Sequence, residues 1–174
     1  MATEIERKFL VSGDQWRSVA VAQTIRQGYI WTDHGRSLRV RIAGPRAFLT
    51  LKSARKGFSR HEYEYEIPLS DACEMLNSMC NGRLIEKTRY TVVAGGRTWV
   101  IDAFDGDNRG LIVAEIELEN EEEAIDLPEW AGREVTSDPR YLNVNLVSRP
   151  YCLWSADECA PDMGATPAVP HALE

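Results

Sequence analysis

Three charged residues at the start of the chain, Glu4, Glu6 and Lys8, stand two positions apart. In a β-strand, residues at this spacing point to the same face, so two carboxylates and one ammonium group would share one surface. Carboxylate oxygens are ligands for divalent cations, and an ammonium group binds anions. Charged faces of this kind are also common on strands that face water, so these three residues alone do not establish a site.

The same spacing recurs along the chain, and each run carries mostly one sign of charge. The basic runs are Arg39 with Arg41 and Lys87 with Arg89, and the acidic runs are Glu62, Glu64 and Glu66, and Glu115 with Glu117. Like charges this close repel unless a ligand of opposite sign lies between the strands. An anion with many oxygens would bind the basic side chains, and a divalent cation would bind the carboxylates. Together these are the features of a metal-bound polyphosphate.

Alternating polar and apolar residues predict about eight strands with short connections, and therefore an antiparallel sheet. Gly44-Pro45 and Gly95-Gly96 are predicted hairpin turns. Two arrangements follow: a sheet whose charged face lies in water, or a closed barrel whose charged face lines a tunnel. Segregation of charge by strand favours the tunnel. The predicted fold is α+β, a closed, roughly eight-stranded antiparallel β-barrel with a polar, charged interior and helices packed outside.

Caps and apolar spacing predict the helices that would cover this barrel. One begins at Ser70-Asp71, and its apolar stripe consists of Cys73, Leu76, Met79 and Cys80. A short helix is predicted over residues 121–124. A final helix is predicted from Asp138-Pro139 to about Ser148, because proline is tolerated in a first helical turn.

The composition is that of a folded, acidic protein: 174 residues, 44% of them apolar, with a formal net charge of −7. This charge disfavours a binder of nucleic-acid polymers. No apolar run reaches the roughly 20 residues of a membrane span, and the acidic N-terminus is unlike a secretion signal. The four cysteines lack the close pairs of a zinc site, which predicts reduced thiols in a cytoplasmic protein. We expect one domain over residues 1–154 and a flexible tail over residues 155–174.

Taken together, the charged runs resemble the CYTH superfamily, also called the triphosphate tunnel metalloenzymes. Its ExExK signature is matched by Glu4-Ile5-Glu6-Arg7-Lys8. Further motifs follow in the order of the family: Arg26-Gln27-Gly28-Tyr29, Leu38-Arg39-Val40-Arg41, Leu49-Thr50-Leu51-Lys52, Ser59-Arg60-His61-Glu62-Tyr63-Glu64, Glu86-Lys87-Thr88-Arg89-Tyr90, Ile101-Asp102-Ala103-Phe104 and Ala114-Glu115-Ile116-Glu117-Leu118. The resemblance covers residues 3 to about 146 and is greatest to small bacterial members that hydrolyse inorganic tripolyphosphate.

This resemblance implies a metal-dependent triphosphatase, with Mg2+ or Mn2+ as cofactor and a small-molecule triphosphate as partner. The implied metal ligands are Glu4, Glu6, Glu62, Glu64, Asp102, Glu115 and Glu117. The implied phosphate-binding residues are Lys8, Arg39, Arg41, Lys52, Arg60, Lys87 and Arg89. The residues implied in catalysis are Lys8, Tyr29, Arg39, Arg41 and Lys87. Lys8 would act with Tyr29 to assist proton transfer, because crowding by other cations would make Lys8 lose its proton more readily.

The last helix departs from the family pattern. That pattern often reads Arg-Tyr-Lys-Asn-x-x-Leu, whereas this chain has Leu142 before Asn143 and thus lacks the lysine. We expect weaker phosphate binding at that end of the tunnel. Three alternatives stay open: a class IV-type adenylate cyclase, a thiamine triphosphatase on the same fold, and a non-catalytic module that binds polyphosphate or nucleotides. The chain is expected to bind neither membranes nor nucleic-acid polymers, and to be a monomer or a homodimer.

Overall fold

The structure, a computed structural model, describes residues 2–54, 56, 59–120 and 122–159, without the side chains of Ala2, Thr3, Glu4 and Ser59. Nine strands within these ranges form one antiparallel sheet: β1 Ala2–Val11, β2 Val21–Asp33, β3 Arg36–Ala43, β4 Arg46–Lys52, β5 Ser59–Ile67, β6 Leu84–Ala94, β7 Arg97–Phe104, β8 Ile112–Glu117 and β9 Ala131–Glu134. The helices are α1 Leu69–Ser78, α2 Asn143–Ser148 and α3 Ala156–Cys159, with 3-10 turns at Gln15–Val19, Gly106–Asn108, Pro139–Tyr141 and Tyr151–Leu153.

Eight strands lie side by side in the order β5-β4-β3-β2-β6-β7-β8-β1. Residues 2–5 of β1 also pair with residues 59–62 of β5, which joins the two ends of the row. The predicted antiparallel α+β fold is therefore confirmed. Closure of the barrel is confirmed in part, because this last pairing spans only four residues. The short strand β9, which the sequence analysis missed, pairs with β1 beyond that point.

The two hairpin turns predicted at Gly44-Pro45 and at Gly95-Gly96 both occur at these residues. Ala43 pairs with Arg46, and Ala94 pairs with Arg97, so each hairpin has a two-residue loop. Gly95 and Gly96 both have positive φ angles, 58° and 73°. This is the backbone of a type I′ turn, which glycine adopts without steric cost and which matches the twist of the flanking strands.

Helix α1 covers the outer face of strands β2 to β5. Its buried side chains, Ala72 and Leu76, form a cluster with Cys80, which follows the helix, and with Val40 and Ala47 of the sheet. The predicted stripe was right for Leu76 and Cys80 but wrong for two other members: Cys73 is exposed and Met79 is 49% exposed. The buried positions recur every four residues and include the small Ala72, which allows the helix to approach the sheet closely.

A second outer cluster covers β1 and β6 to β8. It contains Phe9, Trp16, Val92, Trp99, Ile101, Ala114, Ile116 and Leu118. Trp16 comes from the first 3-10 turn, and Trp130 packs edge-on against Trp99 with ring centroids 5.3 Å apart. On this side, aromatic side chains thus cover the outer face of the sheet, as helix α1 covers it on the other side.

A third apolar cluster lies on the opposite, inward face of the sheet, and we call it the apolar plug. Its buried members are Ile85, Phe104, Leu111, Val113, Val135, Tyr141, Leu146 and Trp154. On β6, Ile85 stands two residues from Lys87, and on β8, Val113 stands two residues from Glu115, so apolar and charged side chains share one strand face. The chain from Val135 to Trp154, which we call the C-terminal segment, therefore packs against the inward face at one end of the sheet. The prediction that the helices pack outside was wrong for this segment.

The C-terminal segment also differs from the predicted single helix. The 3-10 turn Pro139–Tyr141 and helix α2 are separated by Leu142, whose backbone is extended (φ −74°, ψ 128°). In the predicted helix at 121–124, the described residues 122–124 are not helical, and Glu121 lies outside the described residues. Residues 156–159 of the predicted tail form α3, in which Glu158 binds Arg149 at 2.7 Å, and residues 160–174 lie outside the described residues. The predicted division into domain and tail stays a prediction.

The helices within the described ranges are all too short or too polar to cross a membrane. The predicted cytoplasmic location stays a prediction.

Candidate active site

The inward face of the sheet encloses a cavity of about 400 Å³ beside the apolar plug. It is lined by Glu6, Lys8, Tyr29, Ser37, Arg39, Arg41, Lys52, Arg60, Glu62, Glu64, Arg89, Glu115, Glu117, Leu142, Asn143 and Val144. Six of these side chains are cationic and five are carboxylates, although the whole chain has a net charge of −7. The size is typical of a small-molecule site, and the lining is far more charged than such sites usually are.

Strand register brings acids and bases of different strands opposite one another. Across β1 and β8, Glu6 stands opposite Glu117, and Lys8 stands opposite Glu115. Partners in an antiparallel pair point to the same face, so the charges of both strands reach the same cavity. The arrangement predicted from the period-2 pattern is thus what the fold produces.

The bases of β3 bind acids of β5. Arg41 Nη2 lies 2.9 and 2.8 Å from the two carboxylate oxygens of Glu64. Arg39 Nη2 lies 3.5 Å from Glu64 Oε2 and 3.1 Å from Thr50 Oγ1 of β4. On the neighbouring strand, Lys52 Nζ lies 2.7 Å from Glu62 Oε2. Each of these cations can therefore exchange a carboxylate partner for an oxygen of a bound anion.

One N–H group of each of these two arginines, Arg39 and Arg41, has no hydrogen-bond acceptor among the described residues. The Nε atoms of Arg39 and Arg41 are buried, and neither has a hydrogen-bond acceptor within the described part of the chain. A buried donor without an acceptor costs free energy. The side chains that carry these donors line a cationic cavity, so the guanidinium groups can turn toward an anion bound there.

Lys8 lies between two carboxylates. Its Nζ atom contacts Glu115 and lies 3.2 Å from Glu6 Oε1. Burial by itself would lower the pKa of Lys8, but attraction to Glu115 and Glu6 outweighs burial and raises the pKa above its ordinary value. The expectation that crowding by cations would lower this pKa was wrong, because β8 supplies acids at this point.

The lysine whose pKa is lowered is Lys87. Burial is the main cause, Arg89 adds to it and Asp102 opposes it, and the pKa falls to about 8. Lys87 Nζ lies 2.5 Å from Asp102 Oδ2, and the Lys87 side chain is 1% exposed. Lys87 lies just behind the cavity wall.

Asp102 also lies behind the wall, between two bases. Besides Lys87, it accepts two hydrogen bonds of 2.8 Å from Arg89, at Nε and Nη2. Burial opposes ionisation of Asp102, but Lys87 and Arg89 outweigh burial, so the pKa of Asp102 lies below its ordinary value. The carboxylate is 1% exposed and orients these two bases.

Tyr29 lines the cavity with its phenol protonated. Burial raises the pKa of Tyr29, against the opposing effect of Arg39, Arg60 and Lys8. The hydroxyl group is therefore available as a hydrogen-bond donor at neutral pH.

Of the predicted site residues, the structure brings all but three to the cavity wall. Lys87 and Asp102 lie behind the wall, and the side chain of Glu4 lies outside what the structure describes. Prediction missed Ser37, Leu142, Asn143 and Val144. Ser37 shares the alternation of Arg39 and Arg41 and could have been found from it, whereas the other three reach the cavity only through the tertiary position of the C-terminal segment.

The carboxylates at the wall have the oxygen chemistry that Mg2+ and Mn2+ prefer, and in this respect the residues fit a divalent cation. Glu6, Glu115 and Glu117 come from adjacent strands β1 and β8. No ready-made cluster of three or more acidic, histidine or cysteine side chains suited to a metal is present among the described residues, which leave out the Glu4 side chain. Their carboxylate oxygens are instead engaged by bases, as for Glu115 with Lys8 and Arg89.

Comparison with known proteins gives matches over most of the chain. A family model described as CYTH domain matches residues 2–151. An inorganic triphosphatase of Acetivibrio thermocellus is 51% identical over 151 residues, 87% of this chain and 97% of that protein. An inorganic triphosphatase of Nitrosomonas europaea is 41% identical over 148 residues, 83% of this chain and 96% of that protein. A crystal structure of an inorganic triphosphatase superposes with a TM-score of 0.60 at 39% identity, covering 84% of this chain and 95% of the other.

Proposed function

Since the chain belongs to the CYTH domain family, we propose that it hydrolyses inorganic tripolyphosphate in the charged cavity, with Mg2+ or Mn2+ as cofactor. The family match confirms the resemblance found in the sequence motifs. Relatives at 51% and 41% identity carry the name inorganic triphosphatase and are covered almost completely, which supports the same reaction here.

The observation that carries the proposal is the cavity lined by six cationic side chains, among them Arg39 and Arg41 with buried Nε donors that lack an acceptor among the described residues. A triphosphate presents several anionic oxygens in a row, and guanidinium groups bind such oxygens in a fixed geometry. The five carboxylates at the same wall weaken binding of the anion, and a divalent cation between them and the phosphates would remove this repulsion. The lining thus suits an anion that arrives with a metal.

Glu6, Glu115 and Glu117 would hold the divalent cation, with Glu4 as a further predicted ligand. When bound, such a cation withdraws charge from phosphate oxygens and lowers the pKa of coordinated water.

The chain's own residues supply binding and orientation. Arg39, Arg41 and Arg89 hold non-bridging oxygens and stabilise the charge that moves to the leaving group. Lys8, kept protonated by Glu6 and Glu115, adds a fixed positive charge on the opposite wall. Tyr29 keeps its proton and donates a hydrogen bond to a phosphate oxygen.

Release of orthophosphate from tripolyphosphate, with Mg2+, with Mn2+ and with EDTA, tests this function. Wild-type protein is compared with Glu6→Ala, which changes the cavity wall, and with Glu66→Ala, whose side chain is 54% exposed and binds Arg46 outside the cavity. We expect metal-dependent turnover that Glu6→Ala reduces at least about hundredfold and Glu66→Ala leaves unchanged. Absence of metal-dependent turnover, or equal activity of the Glu6 variant, would refute the proposal.

The same assay separates the alternatives. Preferred turnover of thiamine triphosphate would indicate a thiamine triphosphatase. Cyclic AMP and pyrophosphate formed from ATP would indicate a cyclase. Tight calorimetric binding of tripolyphosphate without hydrolysis over hours would indicate a binding module. Whether the protein is a monomer or a homodimer stays a prediction.

A further inference from the structure

The floor of the cavity is formed by the C-terminal segment and has a composition unlike the walls. Leu142, Asn143 and Val144 line the cavity here, and Leu146 of the apolar plug follows two residues after Val144. Between two apolar side chains, Asn143 is the polar group of the floor. Among the described residues, Asn143 is the one side-chain amide at the cavity wall, and the strands contribute none.

The amide of Asn143 is oriented by Lys87. Lys87 Nζ lies 3.3 Å from Asn143 Oδ1, and the ammonium of Lys87 can only donate. The contact therefore fixes the amide with its oxygen toward Lys87. The other end of the amide, Nδ2 with its two N–H groups, is consequently directed away from Lys87.

We propose that Asn143 is a substrate-binding residue, whose Nδ2 group donates a hydrogen bond to the terminal phosphoryl group that reaches the floor of the cavity. This inference rests on the proposed function and names one more contact of that site. Asn143 is only partly buried and lines the cavity, so its N–H groups are accessible to an anion there. Lys87 lies behind it with a side chain 1% exposed, so a substrate meets the amide before the ammonium.

The floor contact also bears on which phosphate chains fit. An amide donates to an oxygen without adding charge, and its neighbours Leu142 and Val144 have no polar side-chain group. Beyond them the interior is filled by the plug residues Tyr141 and Leu146, which are 3% and 0% exposed. The floor therefore ends the row of phosphate contacts, and a chain much longer than three phosphates would have to leave the cavity at its other side.

The test uses two substitutions that separate binding of the substrate from support of Lys87. Asn143→Ala removes both ends of the amide. Asn143→Asp keeps an oxygen for Lys87 but replaces the donating end with a second acceptor and a negative charge. Because Lys87 keeps Asp102 as a partner at 2.5 Å, a residue that merely supported Lys87 would leave tripolyphosphate binding unchanged when replaced by alanine, whereas a residue that donates to phosphate would not. The negative charge of aspartate also repels phosphate, so Asn143→Asp should lose more binding than Asn143→Ala.

Calorimetric binding of tripolyphosphate in EDTA is the primary measurement, because it does not depend on turnover. We expect Asn143→Ala to weaken binding about tenfold, the loss typical of one hydrogen bond to a charged group, and Asn143→Asp to weaken it at least about hundredfold. Asn77→Ala, on the exposed face of α1, serves as the matched control and should bind like wild type. Thermal unfolding midpoints of both Asn143 variants verify that they are folded.

Equal binding by wild type and Asn143→Asp would overturn this inference, as would equal binding by wild type and Asn143→Ala. Neither result would affect the proposed hydrolysis, which wild-type turnover tests separately. Weakened binding by both variants in a protein that does not hydrolyse tripolyphosphate would support the floor contact and refute the proposed function.

Discussion

The inward face of the sheet consists of two unlike regions that continue into each other along the same strands. One is the charged cavity, with six cations and five carboxylates at its wall. The other is the apolar plug, where Ile85 follows the alternation of Lys87 and Val113 follows that of Glu115. The plug is filled by side chains of the C-terminal segment, whereas the cavity has room for a ligand.

This difference shows that alternation along a strand determines only which face of the sheet a side chain is on. Whether that face is packed or lines a cavity depends on where the C-terminal segment lies. Packing of apolar groups stabilises the plug through their removal from water. The cavity keeps buried arginine donors without partners, which is unfavourable for the protein alone and useful for an anion. We therefore expect substitutions in the plug to affect stability and substitutions in the cavity to affect binding and turnover.

The largest effect is expected in the plug, for Leu146→Ala. Leu146 is 0% exposed, and its truncation should lower the free energy of unfolding by about 2–5 kcal/mol, because the surrounding side chains cannot fully close the space. Urea-induced unfolding measures this, with Leu153→Ala, at 64% exposure, as the control that should change little. Equal stability losses for the two variants would show that the plug is not a packed core.

In the cavity, Arg39→Ala is expected to lower kcat/KM for tripolyphosphate about hundredfold, since it removes a group that binds phosphate charge. Stability should change much less, because Glu64 keeps Arg41 as a partner at 2.8 Å. Arg46→Ala, on an exposed arginine beside the same sheet, is the control. A drop in stability without a drop in kcat/KM would contradict the assignment of Arg39 to the binding site.

A smaller effect is expected for Tyr141→Phe at the rim of the plug. Tyr141 Oη accepts a hydrogen bond of 3.2 Å from Arg133 Nη2. Its removal should lower the free energy of unfolding by about 0.5–1.5 kcal/mol and leave kcat/KM unchanged. Tyr65→Phe, at a side chain 57% exposed, should change neither quantity. If Tyr141→Phe altered kcat/KM more than stability, the plug and the cavity would not be separate in function.

The smallest effect is expected for Glu134→Gln, where β9 meets β1. Arg7 binds Glu134 with contacts of 2.9 and 2.5 Å, and this hydrogen bond holds the pKa of Glu134 below its ordinary value. A carboxyl group whose pKa is lowered by folding stabilises the protein above its unfolded-state pKa, and this stabilisation is lost as pH falls.

At pH 7 the loss for Glu134→Gln should be at most about 1 kcal/mol, because the pair is partly exposed. Below about pH 4, where the unfolded-state carboxyl group protonates, the variant and wild type should converge in stability. Unfolding curves at several pH values measure this, with the exposed Glu129→Gln as control. A difference that grew toward low pH would contradict the assigned sign.

Much of this architecture could be predicted from the sequence. The period-2 spacing of Arg39 and Arg41 and of Glu115 and Glu117 correctly placed these charges on one shared surface, because strand geometry is local. Asn143 could not be found in this way, since its position depends on where the C-terminal segment packs. The direction of the pKa change at Lys8 was also missed, because the neighbours that determine it, Glu6 and Glu115, depend on strand register.

The central claim is that the charged region binds the triphosphate while the apolar plug stays in place. A crystal structure of the protein with tripolyphosphate, grown in EDTA to prevent turnover, tests this claim most directly. The account predicts phosphate oxygens within hydrogen-bond distance of the guanidinium groups of Arg39 and Arg41, with Tyr141 and Leu146 still packed against Ile85. An anion bound on the outer surface of the sheet, or bound inside only after the plug is displaced, would contradict it.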